Sequence, residues 1–183
     1  DESARAALEE AINYRFRDVQ HLKTALTHRS YVAENHGVTS YERLEFLGDA
    51  VLDFVVSEIV YAAVPDADEG DLSRLRASLV KDSSLAELAA TLGLGEHIVL
   101  GGGERKSGGH RRESILADAL EALFGAVFLD AGYAACKTVI ETAYGERLLH
   151  LPDPRELRDP KTRLQEWLQA RQLGLPDYAL VKT

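Results

Sequence analysis

The stretch Tyr41-Glu42-Arg43-Leu44-Glu45-Phe46-Leu47-Gly48-Asp49-Ala50-Val51-Leu52 places three carboxylates in a segment that otherwise reads as a buried helix. With Glu42 set at zero and about 100° added per residue, Glu45 falls near 300° and Asp49 near 340°. Leu44, Leu47, Val51, Phe54 and Val55 fall between about 120° and 220°, on the opposite side. The spacing therefore predicts an apolar face for a core and a narrow anionic stripe. Like charges at these spacings repel by about 0.2–0.5 kcal/mol per pair. A helix that gathers them is either solvated along that stripe or built to meet a cation. Asp53 continues the stripe and reads as a solvated residue.

A second stretch, Glu113-Ser114-Ile115-Leu116-Ala117-Asp118-Ala119-Leu120-Glu121-Ala122-Leu123-Phe124-Gly125-Ala126-Val127-Phe128-Leu129, repeats the arrangement. Asp118 and Glu121 stand at i, i+3 and share a face, whereas Leu116, Leu120, Leu123 and Val127 lie about 140–200° away from Asp118. Two such helices can pack with their carboxylates at a common edge. Oxygen-rich clusters of this kind suit hard divalent cations such as Mg²⁺, with water or a substrate phosphate completing the coordination.

The run Glu42 to Asp49 resembles the signature of the ribonuclease III family, metal-dependent endonucleases that cut double-stranded RNA. Three further stretches resemble that family in order and spacing: Ala25-Leu26-Thr27-His28-Arg29-Ser30-Tyr31, Asp68-Glu69-Gly70-Asp71-Leu72-Ser73-Arg74-Leu75-Arg76, and Arg112-Glu113-Ser114-Ile115-Leu116-Ala117-Asp118 with Glu121. The likeness covers roughly residues 5 to 150 and is to the compact bacterial form. It implies an all-α ribonuclease III-type nuclease domain. It also implies a Mg²⁺ site, with Mn²⁺ as an alternative ion, held by Glu45, Asp118 and Glu121. Asp49 and Glu121 are the implied catalytic residues, Asp49 orienting metal-bound waters. Glu42 and Glu69 match acidic positions that line the cleft and bear on the substrate and the dimer. Further implications are a homodimer, with one site for each RNA strand, products with 5′-phosphate and 3′-hydroxyl ends and short 3′ overhangs, and a part in processing ribosomal and messenger RNA.

No position departs from the acidic pattern, which argues for an enzyme, since a binding-only relative would be free to lose these carboxylates. An unrelated metal-dependent phosphohydrolase would usually carry histidine-aspartate ligand pairs, and the sequence has none that convince. Cys136 and the scattered histidines offer no nucleophilic triad, and His28 reads as a packing or hydrogen-bonding residue.

Composition is compatible with this reading. A chain of 183 residues can bury one good core with something appended. A single cysteine excludes an internal disulfide framework, and no apolar run is long enough to span a membrane. The first residues lack a signal peptide's basic and apolar regions. A cytoplasmic location is expected, and the absence of methionine points to a processed amino terminus. The net charge of -9 is awkward for an RNA-binding protein, but it is the wrong scale. Arg74, Arg76 and Lys81 follow the middle motif, and Arg105, Lys106, Arg111 and Arg112 precede the second acidic helix, placing cations for phosphates beside the acids.

Apolar spacing predicts helices near residues 4–12, 18–28, 41–63, 69–80, 82–92, 111–130 and 132–146, with Ser83 or Ser84 as a cap. Residues 93–110 read as a glycine-interrupted loop, without the Gly-Lys-Ser/Thr ending of a nucleotide-binding loop. The nuclease domain is expected over residues 1–151, and the prolines of residues 152–160 mark a linker. Residues 161–183 are similar to the start of a double-stranded-RNA-binding domain: an amphipathic helix from Lys161, then a strand beginning near Pro176. Thr162, Gln165 and Glu166 match that module's RNA-facing positions. The chain stops before such a module would be complete.

Overall fold

The computed structural model describes residues 2–178. Its elements are helical: α1 (Glu2–Ala11), α2 (Val19–Ala25), α3 (Arg29–Glu34), α4 (Glu42–Ala63), α5 (Glu69–Val80), α6 (Asp82–Thr91), α7 (Gly102–Lys106), α8 (Glu113–Tyr144) and α9 (Pro160–Gln169), with short 3-10 turns between some of them. Among the described residues the β structure is one isolated parallel bridge, Thr27 with Val99. Among the described residues no helix is long and apolar enough to cross a membrane.

α8 runs through the middle, packed by α4 on one side and by α6 and α2 on others. It buries Leu116, Ala119, Leu120, Ala122, Leu123, Phe124, Ala126 and Val127, so it is apolar nearly all round, as an element enclosed by other helices must be. Against it α4 places Leu52, Val55 and Val56, each fully buried, and α6 places Leu85 and Leu88; Leu75 of α5 and Leu8 and Ile12 of α1 belong to the same core.

The α4–α8 crossing is unusually close, and two glycines make it so. A Cβ on Gly48 would lie 1.7 Å from the carbonyl oxygen of Glu121, and a Cβ on Gly125 would lie 2.3 Å from that of Leu44. Both obstacles are backbone, which cannot swing away. Glycine within a helix costs about 0.5–1 kcal/mol relative to alanine, so its presence at both facing positions reflects what the contact requires.

The core face of α4 differs from the expected one. Leu44, Val51 and Val55 are buried and Leu47 packs at the margin, but Phe54 is 62% exposed and its ring lies 5.4 Å from that of Tyr133. Gly48, Leu52, Val56 and Val60 are buried as well, because α8 and α5 cover a wider arc than one stripe.

Other expectations need correction where short elements depend on tertiary contacts. α2 stops at Ala25, and a separate helix, α3, begins after His28, whose Nδ1 accepts from the Ser30 amide at 3.1 Å. The 93–110 segment contains α7, tied down by the Glu34 carboxylate, which accepts the Gly102 amide at 2.9 Å on each oxygen, and by Ser30 Oγ, which accepts the Gly101 amide at 2.9 Å. α6 starts at Asp82 with no side-chain cap, while Ser84 donates to the Ser78 carbonyl at 2.7 Å. The expected break between residues 130 and 132 falls at Gly132, whose φ of 81° interrupts α8.

The segment that follows α8 is docked. Leu151 and Leu157 pack against the core, and Arg158 reaches Asp71 at 3.1 Å and Glu166 at 2.5 Å, joining α5 to α9. Residues Pro176, Asp177 and Tyr178 have no regular structure, and the remainder of the expected strand lies outside the described residues.

Alanine at Gly48 should force the helices apart. We expect Gly48→Ala to lower stability by about 3 kcal/mol or more, a fall in Tm of about 6–12 °C. Gly103→Ala, at a helical glycine where a Cβ would meet nothing within 4 Å, should stay within about 2 °C of the parent. Thermal melts followed by far-UV circular dichroism check both, and equal Tm values would refute the role given to the crossing.

Candidate functional site

The glycine contact fixes where the acids go. Gly48 lies between Glu45 and Asp49 on α4 and abuts the backbone of Glu121, so the α4 stripe faces the Asp118–Glu121 turn of α8. The result is a convergence: Glu45, Asp118 and Glu121, all half-buried, each offer a carboxylate oxygen within 4.8 Å of the others. Among the described residues none of the three makes an ion pair.

Carboxylates this close and partly out of water resist ionisation together. Burial, then the charges of Asp49, Asp118 and Glu45, pushes the Glu121 carboxyl up to about 8. Burial and the neighbouring Asp118 raise Glu45, and burial followed by Asp82 raises Asp118. Asp49 is raised by burial and by Asp53. Arg29 works in the opposite direction on Glu45 and Asp118, but its guanidinium contacts Glu42, at 3.8 Å. The donor set is all oxygen, anionic, convergent and without a cationic partner. That chemistry fits a hard divalent ion, which would replace mutual repulsion with attraction.

The remaining candidates from the sequence lie around this centre. Asp49 is exposed and outside the converging three, yet it is the charge acting most strongly on Glu121. Glu42 is exposed, accepting from Ser40 Oγ at 2.8 Å as well as meeting Arg29. Glu69 lies in the first turn of α5, where it accepts from Ser73 Oγ at 2.9 Å.

The basic residues divide into two sets. Arg105, Lys106 and Arg111 are exposed on and just after α7, at the approach to α8. Arg74 is held by Asp71 at 2.5 Å, Arg112 by Glu104 at 2.6 Å, and Arg76 donates to Ser57 Oγ at 3.1 Å. On α9, Thr162 Oγ1 donates to Asp159 at 2.6 Å, Glu166 is engaged by Arg158, and Gln165 is half-buried. His28 is buried, with burial lowering its pKa, and it caps α3 as a hydrogen-bonding residue.

Asp82 is the acidic neighbour that sequence reasoning missed: its charge acts on both Asp118 and Glu121 from the first residue of α6. The sequence offered only an acid in a first helical turn, which the helix dipole suffices to explain.

The sequence matches the Ribonuclease-III-like family over residues 18–148. It is 54% identical over 169 residues to ribonuclease 3 of Nitrosococcus oceani, spanning 91% of this chain and 70% of that protein. It is likewise 54% identical over 179 residues to ribonuclease 3 of Bordetella pertussis, spanning 97% of this chain and 68% of the relative. Its fold is similar to that of the nuclease domain of ribonuclease III from Campylobacter jejuni, with a TM-score of 0.70 and 44% identity over 75% of this chain and 96% of that one.

The raised Glu121 carboxyl makes metal-free stability depend on pH. The folded protein keeps this proton up to about 8, whereas the unfolded chain releases it near 4.5. The stabilisation is therefore complete below the unfolded value and is lost as pH rises towards the folded one. In EDTA, the parent's Tm should fall relative to Glu121→Gln between pH 5 and pH 8, the two converging near pH 5. Parallel Tm-against-pH curves would contradict the assignment.

Proposed function

The chain belongs to the ribonuclease III family and is a ribonuclease of the endonuclease type, and on that premise we propose that it hydrolyses double-stranded RNA at the Glu45, Asp118 and Glu121 centre with Mg²⁺, or Mn²⁺ in its place. The observation that carries this reading is the convergence of three carboxylate oxygens within 4.8 Å where two glycines press α4 onto α8. A divalent ion bound there would supply an activated water and positive charge for the phosphate.

Glu45, Asp118 and Glu121 would hold the ion, and Glu121, the acid with the most strongly raised carboxyl of the three, would have to release its proton to serve as a ligand. Asp49, whose charge acts on Glu121 from outside the converging three, would orient waters at the site. Glu42 and Glu69 line the approach. Arg105, Lys106 and Arg111, exposed before α8, meet the phosphates of the duplex; Arg74, Arg76 and Arg112 hold the surrounding side chains and reach RNA only by exchanging their present partners. Hydrolysis with departure of the 3′ oxygen leaves 5′-phosphate and 3′-hydroxyl ends.

The active form is a homodimer. Phe46, 81% exposed in the same motif as the acids, borders an apolar groove of about 710 Å³ lined by Leu44, Leu47 and Leu129. A large exposed aromatic beside such a groove suits a two-fold contact in which each copy covers the other. The solved C. jejuni nuclease domain is described as having a region involved in dimer formation. Two related sites then address the two strands and leave short 3′ overhangs. Residues 1–151 form the nuclease domain and 152–160 the linker, and 161–183 open a double-stranded-RNA-binding module in which Thr162, Gln165 and Glu166 face the minor groove. Precursors of ribosomal and messenger RNA in the cytoplasm are the substrates this reading implies.

Glu121→Ala should lower cleavage of a long RNA duplex in Mg²⁺ by several orders of magnitude while duplex binding in Ca²⁺ persists; cleavage equal to the parent's would sink the site. Phe46→Asp should sediment as a monomer at concentrations where the parent is a dimer. Its retention of the parent's sedimentation coefficient would remove Phe46 from the interface.

A further inference from the structure

Tyr41 stands immediately before α4, 2% exposed, with its ring edge-on to His28 at a centroid distance of 5.6 Å. Its amide donates to the Thr27 carbonyl at 2.9 Å, so the residue is held at both ends of its backbone and packed around its ring. Its hydroxyl, however, is buried and has no hydrogen-bond partner among the described residues. Tyr14, Tyr133 and Tyr144 show the usual pattern by contrast: each hydroxyl donates to a named acceptor, Asp130, Glu58 and the Leu79 carbonyl respectively.

A buried hydroxyl without a partner destabilises the state that contains it, and native proteins retain few. Phenylalanine would fill the same space without that cost. The hydroxyl therefore calls for an acceptor that belongs to another state of the site, and the acids beside it identify one. Asp118 and then Glu45 are the charged groups that act on the Tyr41 phenol most strongly, and with burial they hold its proton on. A phenol that keeps its proton is a donor, and an ionised carboxylate only accepts.

We propose that Tyr41 is a positioning residue of the metal centre, its hydroxyl donating a hydrogen bond to the Asp118 carboxylate when a divalent cation is bound. The proposal rests on the reading of Glu45, Asp118 and Glu121 as the metal ligands. A carboxylate ligand that spends one oxygen on a cation leaves the other needing a donor, and such supporting bonds orient ligands and set affinity. Tyr41 is well placed for it, since it caps the helix that carries Glu45, its carbonyl accepts the Glu45 amide at 2.9 Å, and its ring is buried beside the acids of the site.

The test is Tyr41→Phe, which removes one oxygen and keeps the ring. Mn²⁺ affinity is measured by isothermal titration calorimetry, and Tm is measured in EDTA and in saturating Mg²⁺. In EDTA the variant should melt at or above the parent, because the unpartnered hydroxyl is gone. Its Mn²⁺ affinity should fall about tenfold, and the rise in Tm on adding Mg²⁺ should shrink. A variant that binds Mn²⁺ as tightly as the parent overturns the proposal, as does one with a Tm lowered equally in both conditions at unchanged affinity. Failure of the parent itself to bind Mn²⁺ or to gain Tm from Mg²⁺ would instead overturn the metal centre.

Discussion

Where α4 and α8 cross, neither helix has room for a side chain, and that steric constraint governs both the core and the site. A Cβ on Gly48 would meet the Glu121 carbonyl, and one on Gly125 would meet that of Leu44. Such contacts admit one register. A slide of one residue along either helix would set a Cβ against a backbone carbonyl. The register that remains places Leu52, Val55 and Val56 against the apolar body of α8, and it sets Glu45 and Asp49 opposite the turn of Asp118 and Glu121. Core packing and carboxylate convergence therefore depend on the same two positions.

This dependence explains what could be read from the sequence. Periodicity alone assigns the acids of each helix to one stripe, because stripe membership follows from angular spacing within a single helix. Depth does not follow from spacing: the carboxyl of Glu121 is pushed up to about 8 because burial and three acids from elsewhere meet there. Gly48 and Gly125 were both visible in the sequence as costly residues inside apolar helices, yet their purpose requires the partner's backbone. Asp82 illustrates the same limit, since a residue that looks sufficient as a helix-start acid acts on two carboxylates of another helix.

The departures in the fold have a common physical basis. α3 and α7 span six and five residues, too short to be stable on propensity alone. They exist because His28 caps one and the Glu34 carboxylate anchors the other, and such side-chain contacts leave no periodic trace. Long elements were legible to within a few residues, and the break at Gly132 fell where glycine separates two periodic runs. The exposure of Phe54 marks the opposite case: a helical wheel ranks residues by angle, whereas the neighbours actually present decide which arc is covered.

Electrostatics divides the molecule into satisfied and unsatisfied acids. Asp71 takes Arg74 and Arg158, Glu104 takes Arg112, and Glu58 takes Lys137. Arg158 also carries Glu166, so α9 is tied down through an arginine that it shares with the largely buried Asp71, with Leu157 adding apolar contact. Among the described residues Glu45, Asp118 and Glu121 have no such cation, although the chain pairs acids with arginine and lysine elsewhere. Leaving three half-buried carboxylates to repel one another destabilises the folded chain, and sequences that are consistent elsewhere break local rules mainly at functional sites. The repulsion cannot be relaxed by separating the acids, because the glycine crossing fixes the helices that carry them. The compensations the fold leaves available are a proton held on Glu121 or a cation arriving from solvent, and the rigidity that makes the core is also what keeps the acids together.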